Sequence, residues 1–367
     1  MYQQYEKTKP PSDLLISMNA LIKLQKIWLH SLSSKYGYSD EKNREQVDSS
    51  VRILSDIFTR FKNSAYSDKK FSSQIINGTD KQYEQALGEM LFFDILEREK
   101  LKLLPTTGEG PDFHILESGL NIMCEVITPK PDSAGITVKH NNDINTRIGA
   151  GARRSAEQDL EIFLKITSAL KVKQEKFRTD KEKGLIPHNS ACIVVINDAL
   201  FCPEDLPMFG ISHSANWGEP PYIARATLNE KFTLLNKNFK PIYINGFSNE
   251  SLNHISAIIQ VTLRDDYGHR ISFINELNEQ FCRLAGFINN YAVVLNPMAR
   301  IKLPKDTFKM DHWHLDKHGE FVAKKLSTNP SPSDLAKYYN LQRRTFGLPE
   351  LNEVELVEKI IHGLSSS

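Results

Sequence analysis

Apolar positions fall at helical spacing through residues 12–32, "SDLLISMNALIKLQKIWLHSL", behind a Ser-Asp start signal. A second stretch, "DSSVRILSDIFTRFKNSAY", repeats the pattern after "SDEKNREQ", which reads as a charged linker. The periodicity breaks at "SQIINGTD", and a boundary is placed near Gly78. From Gln82 the texture changes. A helix, "QYEQALGEMLFFDILEREK", precedes a hairpin around Asp112 and Glu125, and an irregular segment containing Pro129, Pro131 and Gly135 follows. A long helix, "RRSAEQDLEIFLKITSALKVKQEKF", leads to "ACIVVIND", whose β-branched density fits a central strand buried on both faces. "HISAIIQVTL" and "YAVVLNP" read as further strands, and "NEVELVEKIIHGL" as a final helix. This order predicts an α/β fold: a mixed sheet flanked by helices, with a helical N-terminal unit. The expected division is residues 1–78, 79–310 and 311–367.

Three acids interrupt the apolar pattern. On its helix, Glu89 has Ala86, Phe92, Phe93 and Leu96 within about 60° of arc, so it sits amid apolar neighbours. In the hairpin, Glu125 shares a face with Asn121, Met123 and Ile127, while Leu120, Ile122, Cys124 and Val126 take the other. Asp112 opens the preceding strand after a Gly-Pro turn. A buried carboxylate is costly without a cation or a hydrogen bond. Three acids on one helix and two adjacent strands are suited to sharing a divalent ion, and all-oxygen ligation favours Mg²⁺ or Mn²⁺. Individually each has a plainer explanation: an Asx turn for Asp112, an edge position for Glu125, a lysine partner for Glu89.

The order of these residues resembles the PD-(D/E)XK nuclease superfamily, the restriction-endonuclease-like fold, over about residues 82–305. The resemblance is carried by Glu89, "GPDF" with Asp112, "CEVITP" with Glu125, and the strand ending in "LNP". It implies that Asp112 and Glu125, helped by Glu89, hold a metal that activates water against a phosphodiester. The chain departs from the pattern two residues after Glu125, where the family expects lysine and Ile127 stands. Some members carry that lysine on the following helix, and here Lys173 is favoured, with Lys176 next. Ile166, Ala169 and Leu170 lie behind Lys173 on the side expected to pack inward. Lys181 is expected on a loop beyond the helix.

The chain has 367 residues, is 40% hydrophobic and carries a net charge of +1, as expected of a globular protein without a polybasic anchor. Its four cysteines, Cys124, Cys192, Cys202 and Cys282, form no CxxC and read as reduced thiols. The polar, proline-containing start is unlike a signal peptide, and no apolar run is long enough to span a bilayer, so a cytoplasmic location is expected. Arg147, Arg153, Arg154 and Lys176 are the candidate phosphate contacts. His312, His314 and His318 match no standard zinc spacing. Without a P-loop or a GxSxG element, no nucleotide cofactor or serine hydrolysis is expected.

The expected function is metal-dependent cleavage of DNA or RNA by Asp112, Glu125 and Lys173. The alternative is an inactive nuclease-fold protein that binds nucleic acid or a partner. A third reading places the activity in the helical N-terminal unit. A homo-oligomer is compatible with the sequence.

Overall fold

The computed structural model describes residues 12–39, 41–68, 70–105, 110–130, 156–201, 222–228, 233–235, 241–243, 246–248, 250–268, 292–308, 311–315, 321–324, 333, 336, 337, 340 and 349–365. Four helices come first: Ser12–Tyr36 (α1), Glu41–Asn63 (α2), Phe71–Asn77 (α3) and Asp80–Arg98 (α4). The charged stretch expected to be a linker is mostly helical from Glu41 onward. Its Glu, Lys, Arg and Gln residues are strong helix formers, Glu41 sits in the first turn, and Val47 begins the buried stripe. α4 starts at a reciprocal capping box: Gln82 N–H donates to Thr79 Oγ1 at 3.4 Å, and Thr79 N–H to Gln82 Oε1 at 2.9 Å.

The strands Lys102–Leu104 (β1), Phe113–Glu117 (β2) and Leu120–Ile127 (β3) form an antiparallel meander. The crossover helix Ala156–Glu182 (α5) then leads to Ala191–Asn197 (β4), which runs parallel to β3. After a short helix, Tyr222–Leu228 (α6), and a separate small hairpin, Thr233–Leu235 (β5) with Pro241–Tyr243 (β6), the chain returns to the main sheet. There it adds Ala257–Val261 (β7), Ala292–Leu295 (β8), Asp311–Leu315 (β9) and Phe321–Lys324 (β10). Among the described residues the sheet has eight strands, ordered β1-β2-β3-β4-β7-β8-β9-β10, with both parallel and antiparallel neighbours. Glu353–Ser365 (α7) follows. No helix among the described residues is long and apolar enough to cross a membrane.

Alternation along the central strands divides the core in two. Ile122, Cys124, Val126, Ile193, Val195 and Ile259 face the layer that contains α1–α4. Met123, Cys192, Val194, Ile196 and Ile258 face α5 and α6. The helices before Gly78 therefore share one apolar cluster with the sheet, including Trp28, Phe58, Phe61 and Phe71. Cys124 and Cys192 are free thiols on opposite faces, and burial pushes both up, Cys192 to about 11. Cys202 and Cys282 lie outside the described residues.

A buried acid ties the first helices to the rest. Asp94, on α4, accepts from Arg60 Nη2 at 2.6 Å, from Arg98 Nε at 2.6 Å and from the Tyr267 hydroxyl at 3.0 Å. Arg60 also pairs with Asp56 at 2.8 Å and with Glu97. Once Asp94 is removed, Arg60 and Arg98, 35% and 45% exposed, can recover water and Arg60 keeps Asp56 and Glu97, so the loss is that of the charged hydrogen bonds themselves. Asp94→Ala is therefore expected to lower stability by about 1–3 kcal/mol in urea unfolding, and no measurable loss would contradict this.

Candidate active site

Asp112 and Glu125 meet through strand register. Phe113 pairs with Cys124, so one step further along the same register sets Asp112 opposite Glu125. Directly opposed side chains project to one face with Cβ atoms about 5 Å apart. Gly110, at φ 117°, takes a backbone conformation that a side chain would oppose, and it delivers the chain through Pro111 to Asp112. Asp112 Oδ2 then accepts the Val126 N–H at 2.7 Å, which fixes the carboxylate on the end of β3. Glu125 is 2% exposed and shares the α5 face with Met123 and Ile127.

α5 supplies two cations to that face. Lys173 Nζ lies 2.5 Å from Glu125 Oε2, and Lys176 Nζ pairs with Glu125 Oε1. Lys176 also donates to the Gly110 carbonyl at 3.0 Å. Ile166 and Leu170, fully buried, seat the helix against the sheet just before Lys173. Thus Lys176, expected at a phosphate, stands on the same carboxylate as Lys173. Lys181 is not on a loop: it lies in the last turn of α5, buried, with Nζ donating to the Ser190 carbonyl at 2.9 Å. The helix continues past Phe177 because charged residues with good helix propensity carry it to Glu182.

Glu89 approaches from α4, which packs on the opposite face of β3. Its anchor is Gln85, a residue that carries no signal in the sequence beyond its i,i+4 spacing to Glu89. Gln85 Nε2 donates to Glu89 Oε1 and to the Val126 carbonyl, each at 2.8 Å, while its Oε1 accepts the Thr128 N–H at 3.0 Å. Gly88 allows this close approach, because a Cβ there would lie 3.1 Å from both Asn197 Nδ2 and Thr128 Oγ1. Glu89 and Asp112 both feel the charge of Glu125. Burial, and then the charge of Glu125, push Glu89 up to about 7. Burial, then Glu125 and Glu89, raise Asp112 well above the usual carboxylate range, against the pull of Val126 N–H and Lys173.

The oxygen-only donor set and the mutual repulsion of the acids suit a divalent cation. As placed, however, no group of three or more His, Cys, Asp or Glu among the described residues is arranged to hold one. Both Glu125 oxygens are engaged by ammonium groups, so a cation would have to displace at least one lysine contact. Arg147, Arg153 and Arg154 lie outside the described residues, as does His318, whereas His312 and His314 fall on β9. Asn296, in "LNP", is structural: its amide donates to the Leu252 and Ile255 carbonyls at 3.0 and 2.7 Å.

The elevated Glu89 gives a pH signature. Its ordinary value is 4.5 and its folded value about 7, so between them the folded protein binds more protons than the unfolded chain. The associated stability is complete below the ordinary value and is lost as pH rises through about 7. The metal-free melting temperature is expected to fall across that window, and Glu89→Gln to flatten the fall. Identical pH profiles for the two proteins would contradict it.

No family model matches the chain, no curated protein matches it in sequence, and no solved structure matches its fold.

Proposed function

We propose that the chain is a divergent member of the PD-(D/E)XK nuclease superfamily that hydrolyses phosphodiester bonds in DNA or RNA with a divalent metal. What supports it is that Asp112, one residue before β2, continues the β2–β3 register to the position opposite Glu125 and accepts the Val126 N–H, while Lys173 reaches Glu125 from the crossover helix where the strand itself offers Ile127. A purely structural ion pair needs neither the second buried acid nor the third on α4. Asp112 and Glu125 would hold Mg²⁺ or Mn²⁺, with Glu89 completing the oxygen set. The bound ion would supply a water of lowered pKa and positive charge against phosphate oxygens. Lys173 would steady the nucleophilic water or the scissile phosphate, and Lys176, 35% exposed, would take a neighbouring phosphate oxygen. Gln85 holds Glu89 in position and ties it to β3.

A second reading has its own support. With both oxygens of Glu125 bound by lysines, the cluster is partly neutralised without any metal, as an inactive nuclease fold that binds nucleic acid or a partner would require. Calorimetric titration with Mg²⁺ and Mn²⁺ separates the two. Binding that disappears in Asp112→Asn supports the enzyme, and no binding to the wild type supports the inactive fold.

A further inference from the structure

A second concentration of charge lies at the far end of α5. A cleft of about 420 Å³ is lined by Arg178, Lys181, Glu182, His188, His254, Arg300 and Ile301. Five of these carry or can carry positive charge, and the lining acid, Glu182, is already engaged by Arg178 Nη1 at 2.8 Å. Lys173 and Lys181 are eight residues apart, which along a helix separates this cleft from the carboxylate cluster by about 12 Å.

The walls are fixed by the fold. Arg300 N–H donates to the Asn253 carbonyl at 2.9 Å, and the Asn296 amide clasps the same turn through Leu252 and Ile255. His254 N–H donates to Gln174 Oε1 at 3.0 Å, which ties that turn to α5. Arg300 and His254 are thereby held beside Lys181 by three elements distant in sequence. His254 is 91% buried, given its 9% exposure, yet its Nδ1 has no hydrogen-bond partner. That nitrogen is sealed from the cleft, so an anion bound there acts on the imidazole as a nearby opposite charge that favours its protonated form.

We propose that this cleft binds a phosphate group, presented by a small phosphorylated molecule or by a nucleic-acid backbone, between Arg300, Lys181 and His254. Arg300 is exposed and offers the planar fork suited to phosphate oxygens, while Lys181, whose ammonium is shared between the Ser190 carbonyl and Cys192, adds its positive charge to the wall. Burial first, then Arg300, Lys181 and Arg178, lower the His254 pKa, with Glu175 opposing. A bound anion reverses that balance and provides a readout at the site itself. The site stands on its own geometry and is independent of the hydrolytic activity proposed at Asp112 and Glu125.

The test uses the full chain without divalent metal, titrated with inorganic phosphate, a nucleoside 5′-monophosphate and a short single-stranded oligonucleotide. Binding is followed by calorimetry and by the ring resonances of His254. At least one of the three ligands should raise the His254 titration midpoint, and Arg300→Glu should weaken that ligand by about tenfold or more. Arg178→Gln, also at an exposed position, should weaken it less, since that guanidinium is shared with Glu175 and Glu182. Response to the mononucleotide identifies a small phosphorylated ligand, and response to the oligonucleotide alone identifies a backbone. The proposal is overturned if all three bind Arg300→Glu as tightly as wild type, or if none moves His254.

Discussion

Glu125→Gln is expected to reduce Mg²⁺-dependent cleavage by about 10³-fold or more while leaving the fold intact. The amide is nearly isosteric, but it removes the charge that would hold the ion, at a residue only 2% exposed. Two opposing effects bear on stability. Lys173 and Lys176 lose their shared anion, yet they are 18% and 35% exposed and can recover water. Glu89 and Asp112 lose the like charge that raises both. The unfolding free energy should therefore stay within about 2 kcal/mol of wild type. Both quantities are read from one preparation, by cleavage at saturating Mg²⁺ and by urea unfolding. Activity that survives unaltered in a folded variant would remove Glu125 from the proposal.

Lys173→Met carries the second large effect. The methionine keeps the apolar stem against Ile166 and Leu170 but takes the ammonium away from Glu125 Oε2. Cleavage should fall by about 10²–10³-fold, with metal affinity held or slightly increased because one competing cation is gone. Lys173 also pulls down both Glu89 and Asp112, so its loss should move the acidic limb of the pH–rate profile upward. Lys176→Met leaves the Lys173 pair in place and should weaken substrate binding more than the rate. Equal effects of the two substitutions on rate would contradict the separate roles.

Much of this site is written in the periodicity. Alternation around Glu125 places Met123 and Ile127 on its face and Ile122, Cys124 and Val126 on the other, and the two apolar layers divide that way. The dense "ACIVVIN" run is buried on both faces as β4 because helices cover both sides of the sheet. The i,i+3 spacing of Lys173 and Lys176 is enough to bring both to one carboxylate. Other features depend on long-range contacts that leave little local trace. β1 is three residues long and owes its place to pairing with β2. Gln85 looks like any polar helix residue until the end of β3 is laid against it. Lys181 reads as solvated because its burial depends on Ser190, beyond the helix end. The stretch after Asp40 reads as a linker by charge, but its propensity and the stripe from Val47 make it helix.

Whether Asp112 and Glu125 form a metal-dependent phosphodiesterase site is decided by a side-by-side cleavage assay. Wild type and Asp112→Asn are incubated side by side with mixed single- and double-stranded DNA and RNA, in Mg²⁺, in Mn²⁺ and in chelator. The expected result is cleavage of at least one nucleic acid by the wild type in metal, none in chelator, and none by Asp112→Asn. Absence of wild-type cleavage under every condition, or equal cleavage by the two proteins, would contradict it.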